Sequence, residues 1–295
     1  MKHAFLIIAH NNFEILKYQL KILDKENSAF FIHIDKRAHV NQEKLAACVK
    51  KAAVTFIPSK RVLWGHFSQV DCELRLIRAA SKGHFDYYHL ISGVDMPLHT
   101  VEEMDLILQK KSFAEYIHFD APEVSLAEYE RIRYYHIMPG REHWKRTING
   151  AGIKLQKIMK IDRLKGENII VQKGANWFSI TDNLVQNIIR DESKIRKMLK
   201  WSFCGDEIFL QTYVYNSDFR KNLSSQNFNN DYLMCLRKID WNRGNPYIYR
   251  SEDFQELITA NELFARKFDE SIDSEIVKKI AAYLKKRKGA KNGGN

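Results

Sequence analysis

The chain has 295 residues, 45% hydrophobic and 28% charged, with a formal net charge of +11. These values exclude a disordered, collagen-like or coiled-coil chain, and they fit one large α/β domain or two smaller units. The charge is uneven: Lys278 to Lys291 holds seven basic residues and no acidic one, and Arg131 to Lys173 holds eleven basic against three acidic, on a mildly acidic body. Partners with phosphates or anionic head groups are therefore expected.

Strand and helix signals alternate through the first hundred residues. Phe5 to Ala9 is a continuous apolar run, as in a buried parallel strand. It falls far short of the roughly 18 residues of a membrane helix. Phe13 to Leu23 places Phe13, Leu16, Leu20 and Leu23 at helical spacing. Phe30 to Asp35 is a second strand ending on a carboxylate, Leu45 to Ala53 a helix, Val54 to Ile57 a third strand, Val70 to Ala80 a helix, and Tyr87 to Ile91 a fourth strand closed by Ser92-Gly93. The pattern predicts an α/β fold with a mixed, mostly parallel sheet flanked by helices. Ligands of such sheets bind beyond the carboxyl ends of the strands. Those ends carry His10, Asp35, Trp64 and the Ser92-Gly93-Val94-Asp95 turn.

From about 120 to 173 the chain reads as an irregular basic insertion. Beyond it we expect a strand over 175–180, one helix over 182–200, a helix over 207–215, a strand over 233–239 and a basic terminal helix over 276–288. With no repeat and no linker, a single domain over 1–275 followed by a basic helix and tail over 276–295 is the simplest organisation. The cysteines Cys48, Cys72, Cys204 and Cys235 make no CxxC or zinc spacing, so reduced thiols and a cytoplasmic location are expected.

Nucleotide-binding GxGxxG, P-loop, HExxH and GxSxG motifs are absent from the sequence. Gly205-Asp206-Glu207 before an apolar run reads first as a helix start with acidic first-turn residues, and compatibly as a general base presented there. Arg250 and Lys267, each among apolar neighbours, read as surface cations or as groups that hold a diphosphate. The aromatic-basic stretch from Arg131 to Trp144 reads as a stacking surface for nucleic acid or as a solvated, partly packed insertion, and the absence of any helix-turn-helix, zinc-finger or RRM signature counts against nucleic acid. The terminal helix sets Ile276, Ile280, Tyr283 and Leu284 on one stripe, which either packs on the core or lies in a membrane interface.

Taken jointly, several segments resemble the core-2/I-branching β-1,6-N-acetylglucosaminyltransferases, a family that includes the peptide O-xylosyltransferases. Leu90-Ile91-Ser92-Gly93-Val94-Asp95-Met96-Pro97-Leu98 is similar to the family's S/C-G-x-D-x-P-L run. The Ile-Ala-His opening strand, His33-Ile34-Asp35, Trp64-Gly65 with Ser68, Gly174 to Phe178, Gly205-Asp206-Glu207, Ile239-Asp240-Trp241 and Leu263 to Phe268 occur in the same order. The resemblance implies a GT-A-like fold and an inverting transfer from a UDP-sugar, UDP-N-acetylglucosamine foremost, to a glycan or lipid-linked saccharide, with no metal. By the same resemblance Glu207 is the general base, Arg250 and Lys267 replace a metal at the diphosphate, His10, Asp35 and Trp64 hold the nucleoside, and Trp241 and Arg131 lie on the acceptor side. The expected enzyme is of a bacterial, cytoplasmic type, peripheral at the inner face of the membrane through its tail. The alternative is a non-catalytic protein that binds nucleic acid or an anionic surface through its basic segments.

Overall fold

The computed structural model of the chain describes residues 1–111 and 113–292, with the backbone alone for 289–292. Lys291, the last cation of the basic run, thus lies outside the described side chains, and residues 293–295 outside the described residues. A six-stranded sheet has the order β3-β2-β1-β4-β7-β6, built from β1 (His3–Ala9), β2 (Ser28–Ile34), β3 (Ala53–Phe56), β4 (Tyr87–Ser92), β6 (Tyr116–Ile117) and β7 (Phe178–Thr181). The first four run parallel, and β7 enters antiparallel between β4 and β6. A smaller sheet of order β5-β9-β8 joins β5 (Asp95–Pro97), β8 (Arg237–Ile239) and β9 (Phe264–Arg266). The mixed, mostly parallel sheet with helices on both faces is the architecture the alternation predicts.

The period of two explains how β1 builds two cores. Ala4 and Leu6 join one apolar cluster with Leu74 and Ile77 of α3 (Ser68–Ser81), while Phe5, Ile7 and Ala9 join another with Leu16 and Leu20 of α1 (Phe13–Leu23). A third cluster joins β5 and β9 to the terminal helix, α11 (Glu275–Asn292), through Met96, Ala265, Ile276, Val277, Ile280 and Leu284. The apolar stripe of α11 is therefore covered by the protein itself, and it is the packed alternative that holds. Among the described residues no helix is long and apolar enough to cross a membrane.

Some expected elements differ. The helix expected over 45–53 is α2 (Gln42–Ala46), capped by Asn41. Helix α4 (Val101–Gln109) begins with a Thr100–Glu103 capping box. The region expected to be irregular holds two helices, α5 (Leu126–Arg133), capped by a Ser125–Glu128 box, and α6 (His143–Ile158). Gly150 and Gly152 lower the helix signal of α6 without breaking it. The single helix expected over 182–200 is two, α7 (Asp182–Arg190) and α8 (Glu192–Leu199), parted at Asp191, whose carboxylate takes a hydrogen bond from Tyr213. Helix α9 (Asp206–Tyr215) and the short α10 (Phe254–Ile258) complete the set. The strand expected over 233–239 is halved, because Leu236 takes a left-handed conformation (φ 57°) that confines β8 to its last three residues.

Candidate active site

The carboxyl ends of β1, β2 and β4 gather one group of polar side chains. At the end of β2, the Asp35 carboxylate is buried and saturated: Arg37 Nε and Nη2 donate at 2.8 and 2.9 Å, and the Arg37 and Val62 amides each donate at 2.9 Å. Burial works to raise its pKa, but the guanidinium and the two amides hold it well below the usual carboxylate range. Asp35 thereby fixes the loop that leads to Trp64. His10, just past β1, has its pKa lowered by burial, opposed by Asp35 and reinforced by the Arg266 and Arg37 charges. In the turn after β4, Asp95 is buried and takes hydrogen bonds from the Ser92 amide and hydroxyl at 2.7 Å each and from Arg266 Nη1 at 2.7 Å. Gly93 is required there, since a Cβ would stand 2.8 Å from that of Ala9. The Arg266 guanidinium also lies 4.3 Å from the centre of the Trp177 ring.

The structure brings together the two cations that lie far apart in sequence. Lys267 N donates to Tyr247 O at 3.4 Å and Tyr249 N donates to Lys267 O at 3.0 Å, so Arg250 is carried beside Lys267. Phe268 N donates to Val94 O at 2.9 Å, which fixes both against the turn after β4. Their neighbours Arg243 and Arg266 are neutralised by Asp240, Asp253 and Asp95. The side chains of Arg250 and Lys267 make no salt bridge among the described residues, though the Arg250 amide donates to Asp253 at 2.7 Å.

Glu207 stands in the first turn of α9, about one-third exposed, with Oε2 accepting from Arg131 Nη1 at 2.8 Å. Lys173 Nζ is 4.0 Å from the same oxygen, 3.5 Å from Glu128, and bonded to Asp120. Burial disfavours the charged Lys173, yet these three carboxylates raise its pKa. Gly174 makes the approach of Lys173 possible: its amide donates to Glu207 O at 2.9 Å, and a Cβ there would lie 1.9 Å from His118 O. Trp241, half exposed, lies 6.5 Å from the ring of Tyr232, which stacks on His118 at 4.1 Å, and His118 is 3.4 Å from Asp120. Arg131 thus touches Glu207 directly, and Trp241 is linked to it by a relay through Tyr232, His118 and the Asp120–Lys173 pair.

Trp64 reaches the same place from the other side. Its ring makes an edge contact with Phe203 at 5.4 Å, and Phe203 N donates to Arg131 O at 2.9 Å. The Gln69 side chain accepts from Gly65 N at 2.5 Å and donates to Asp206 Oδ2 at 2.7 Å. Asp206 is buried behind Glu207. Burial, then the Glu207 charge, push its carboxyl up to about 7. Glu73, behind it, is raised well above the usual range by burial and by Asp206. The contacts of the eight predicted residues thus form two groups: Trp64, Arg131, Glu207 and Trp241 are joined through Phe203, Lys173 and Tyr232, while His10 and Asp35 lie at strand ends and Arg250 and Lys267 lie against the turn after β4. Lys173, Gln69 and Tyr232 join them with no local sequence signal beyond residue type, while Asp206 and Arg266 lie in the Gly205-Asp206-Glu207 and Leu263 to Phe268 segments with no role implied for them by the resemblance. A separate cavity of about 890 Å³, lined by Arg163, Asp191, Trp201 and Tyr213 among others, includes none of the eight.

The Core-2/I-Branching enzyme family model matches residues 3–263. Xylosyltransferase 2 of Canis lupus familiaris is 22% identical over 301 residues, covering 95% of this chain and 33% of that protein. Xylosyltransferase sqv-6 of Caenorhabditis briggsae is 23% identical over 290 residues, covering 89% of this chain and 34% of that protein. The chain thus spans about a third of the length of the curated relatives it matches. Among solved structures, S. aureus TarS 1-349 is similar over 68% of this chain and 55% of that chain, at 10% identity and a TM-score of 0.32.

Proposed function

This chain belongs to the Core-2/I-Branching enzyme family, and from that premise we propose that it is an inverting, UDP-sugar-dependent glycosyltransferase. The donor in this reading is UDP-N-acetylglucosamine, and the acceptor a hydroxyl of a glycan or lipid-linked saccharide. The observation that carries the reading is Glu207: its Oε2 is held by Arg131 at 2.8 Å, and its Oε1 has no partner among the described residues. A general base needs that arrangement, one oxygen fixed and one left to accept a proton.

In the proposed step Glu207 takes the proton of the acceptor hydroxyl as its oxygen attacks the anomeric carbon. The new C–O bond forms on one face while the bond to UDP breaks on the other, so the anomeric configuration inverts. The electron pair leaves with the β-phosphate of UDP. Arg250 and Lys267, whose backbones are brought together through Tyr249 and whose side chains make no salt bridge among the described residues, are suited to meet the negative charge that gathers there. Trp64 and His10 line the nucleoside side with Asp35 supporting their loop, and Trp241 offers the acceptor sugar an aromatic face. No metal enters this scheme. A cytoplasmic location at the inner face of the membrane belongs to the same proposal.

Glu207→Gln keeps the size and loses the basicity. UDP binding should stay within a few-fold of wild type while transfer falls by roughly 10²–10⁴. Wild-type turnover in this variant would remove Glu207 from the mechanism. UDP release with a panel of UDP-sugars assigns the donor. UDP-xylose is the principal competitor, since the relatives named above are xylosyltransferases. A thermal shift with RNA or DNA and none with UDP would favour the binding-protein alternative.

A further inference from the structure

Helix α6 faces solvent on nearly every side: of its 16 residues only Gln156 is buried. Polar bonds along one edge hold it to the body. Gln156 Oε1 accepts from Tyr135 N at 2.8 Å, Gln156 Nε2 donates to Tyr135 O at 3.0 Å, and Asn149 Nδ2 lies 3.0 Å from His136 Nδ1. Beside that edge, at about 100° per residue, Trp144, Ile148, Leu155, Ile158 and the following Met159 fall within one stripe about 100° wide. These five side chains are 50–78% exposed and join none of the three apolar clusters. A surface helix ordinarily turns such a stripe toward the core, as α11 does. In α6 the stripe points away from it.

The charge around the stripe decides what would cover it. Residues 141–160 hold six Lys and Arg against one carboxylate, Glu142, which is itself paired with Lys145 at 2.6 Å. By helical spacing Lys154 and His143 border the stripe on one side and Lys145 on the other. Arg146, Lys154 and Lys160 have no carboxylate partner among the described residues. Long cationic side chains flanking an apolar stripe can bury their stems and keep their charges at a negative head-group layer. Such a helix fits a surface that is apolar beneath and negative above.

We propose that α6 docks this chain on an anionic lipid bilayer, its stripe in the interface and its cations among the head groups. Arg141, two residues before the helix, lies 4.5 Å over the Trp64 ring, and Trp64 makes an edge contact with Phe203, over which the Arg131 guanidinium lies at 5.9 Å. Docking therefore sets Trp64 and the Arg131–Glu207 pair close to the membrane. This deepens the reading of a lipid-linked acceptor and rests on it for its purpose, whereas the docking itself is measured without any transfer.

The test is co-sedimentation of the full chain with vesicles of phosphatidylcholine and phosphatidylglycerol (1:1), and with pure phosphatidylcholine. We expect binding to the anionic vesicles at least tenfold stronger than to the neutral ones, falling as salt rises because the Debye length shortens. Ile148→Glu with Leu155→Glu should lower the partition at least tenfold, with melting temperature and UDP binding unchanged. Lys154→Glu with Lys160→Glu should lower it several-fold and flatten the salt dependence. No binding of the intact chain, or wild-type binding by the Ile148/Leu155 variant, overturns the proposal. So does a lipid-free dimer that this variant dissociates, which would make the stripe a self-association face. UDP binding is scored separately, so failure of the glycosyltransferase reading and failure of docking give different results.

Discussion

Asp206 is one residue from the proposed base, yet it is excluded from that role by its surroundings. Its carboxyl is buried, receives a hydrogen bond from Gln69, and is pushed up to about 7 by burial and by Glu207. Between the ordinary carboxylate value near 4 and about 7, the folded chain keeps a proton there that the unfolded chain has released. Stability from this group is therefore lost as pH rises through that window. Asp206→Asn keeps an acceptor for Gln69 and removes the titration. Urea unfolding should show the variant gaining on wild type by about 1–4 kcal/mol between pH 5 and pH 8. An equal difference at both pH values would show that Asp206 is ionised throughout. The cation pair makes a separate prediction. Charge-assisted hydrogen bonds are worth about 1.5–3 kcal/mol, so Arg250→Ala or Lys267→Ala should weaken UDP binding roughly 10–100-fold. Uridine binding should barely change, as it has no phosphate to lose. Equal loss for both ligands in calorimetry would place these cations elsewhere than at the diphosphate.

Helix α11 and helix α6 show how an element's pattern and its use come apart. Both are basic and both carry an apolar stripe, but the stripe of α11 is buried against β5, β9 and α10, and Arg287 pairs with Glu103. Leu284→Ala should therefore cost about 2–4 kcal/mol, and removing residues 275–295 should lower the melting temperature sharply. An unchanged melting curve for the truncated chain would mean that α11 contributes little to the core. The first, second and fourth strands were legible as short apolar runs buried along nearly their whole length, α1 by its helical spacing, and α9 by the acidic first turn before its apolar run. The α7–α8 break at Asp191 and the left-handed Leu236 were not, since each depends on a partner or a backbone state that no window of sequence reveals. The site divides in the same way. Motif order located Glu207, Arg131, Arg250 and Lys267, but their pairings span up to 76 residues and come from the tertiary fold alone. Lys173 was missed because its approach depends on Gly174 lying against His118, a contact invisible in a basic stretch.

At the scale of the molecule, the two sheets meet at the turn after β4, where Asp95 opens β5 and bonds to Arg266 of β9. Arg250 and Lys267 lie against this junction through the Phe268–Val94 hydrogen bond, so in the proposed reading a UDP-sugar held by them would tie the sheets together. Binding to the folded state alone stabilises by about 2.7 kcal/mol when ligand is a hundredfold above its dissociation constant. UDP at that level should raise the melting temperature by several degrees, and uridine by less. The role of metal is tested in the same experiment. A carboxylate that a metal at the proposed diphosphate site would have to recruit is Asp95, but both of its oxygens are engaged, one by Arg266 and the Ser92 hydroxyl and the other by the Ser92 amide. Recruiting it to a metal would mean breaking a buried ion pair, which costs about 3–5 kcal/mol when one partner is lost. The UDP-induced shift and the transfer rate should therefore both survive EDTA. Transfer that disappears with EDTA and returns with manganese would show that Asp95 releases Arg266 to take a metal, and would move the charge-neutralising role away from Arg250 and Lys267.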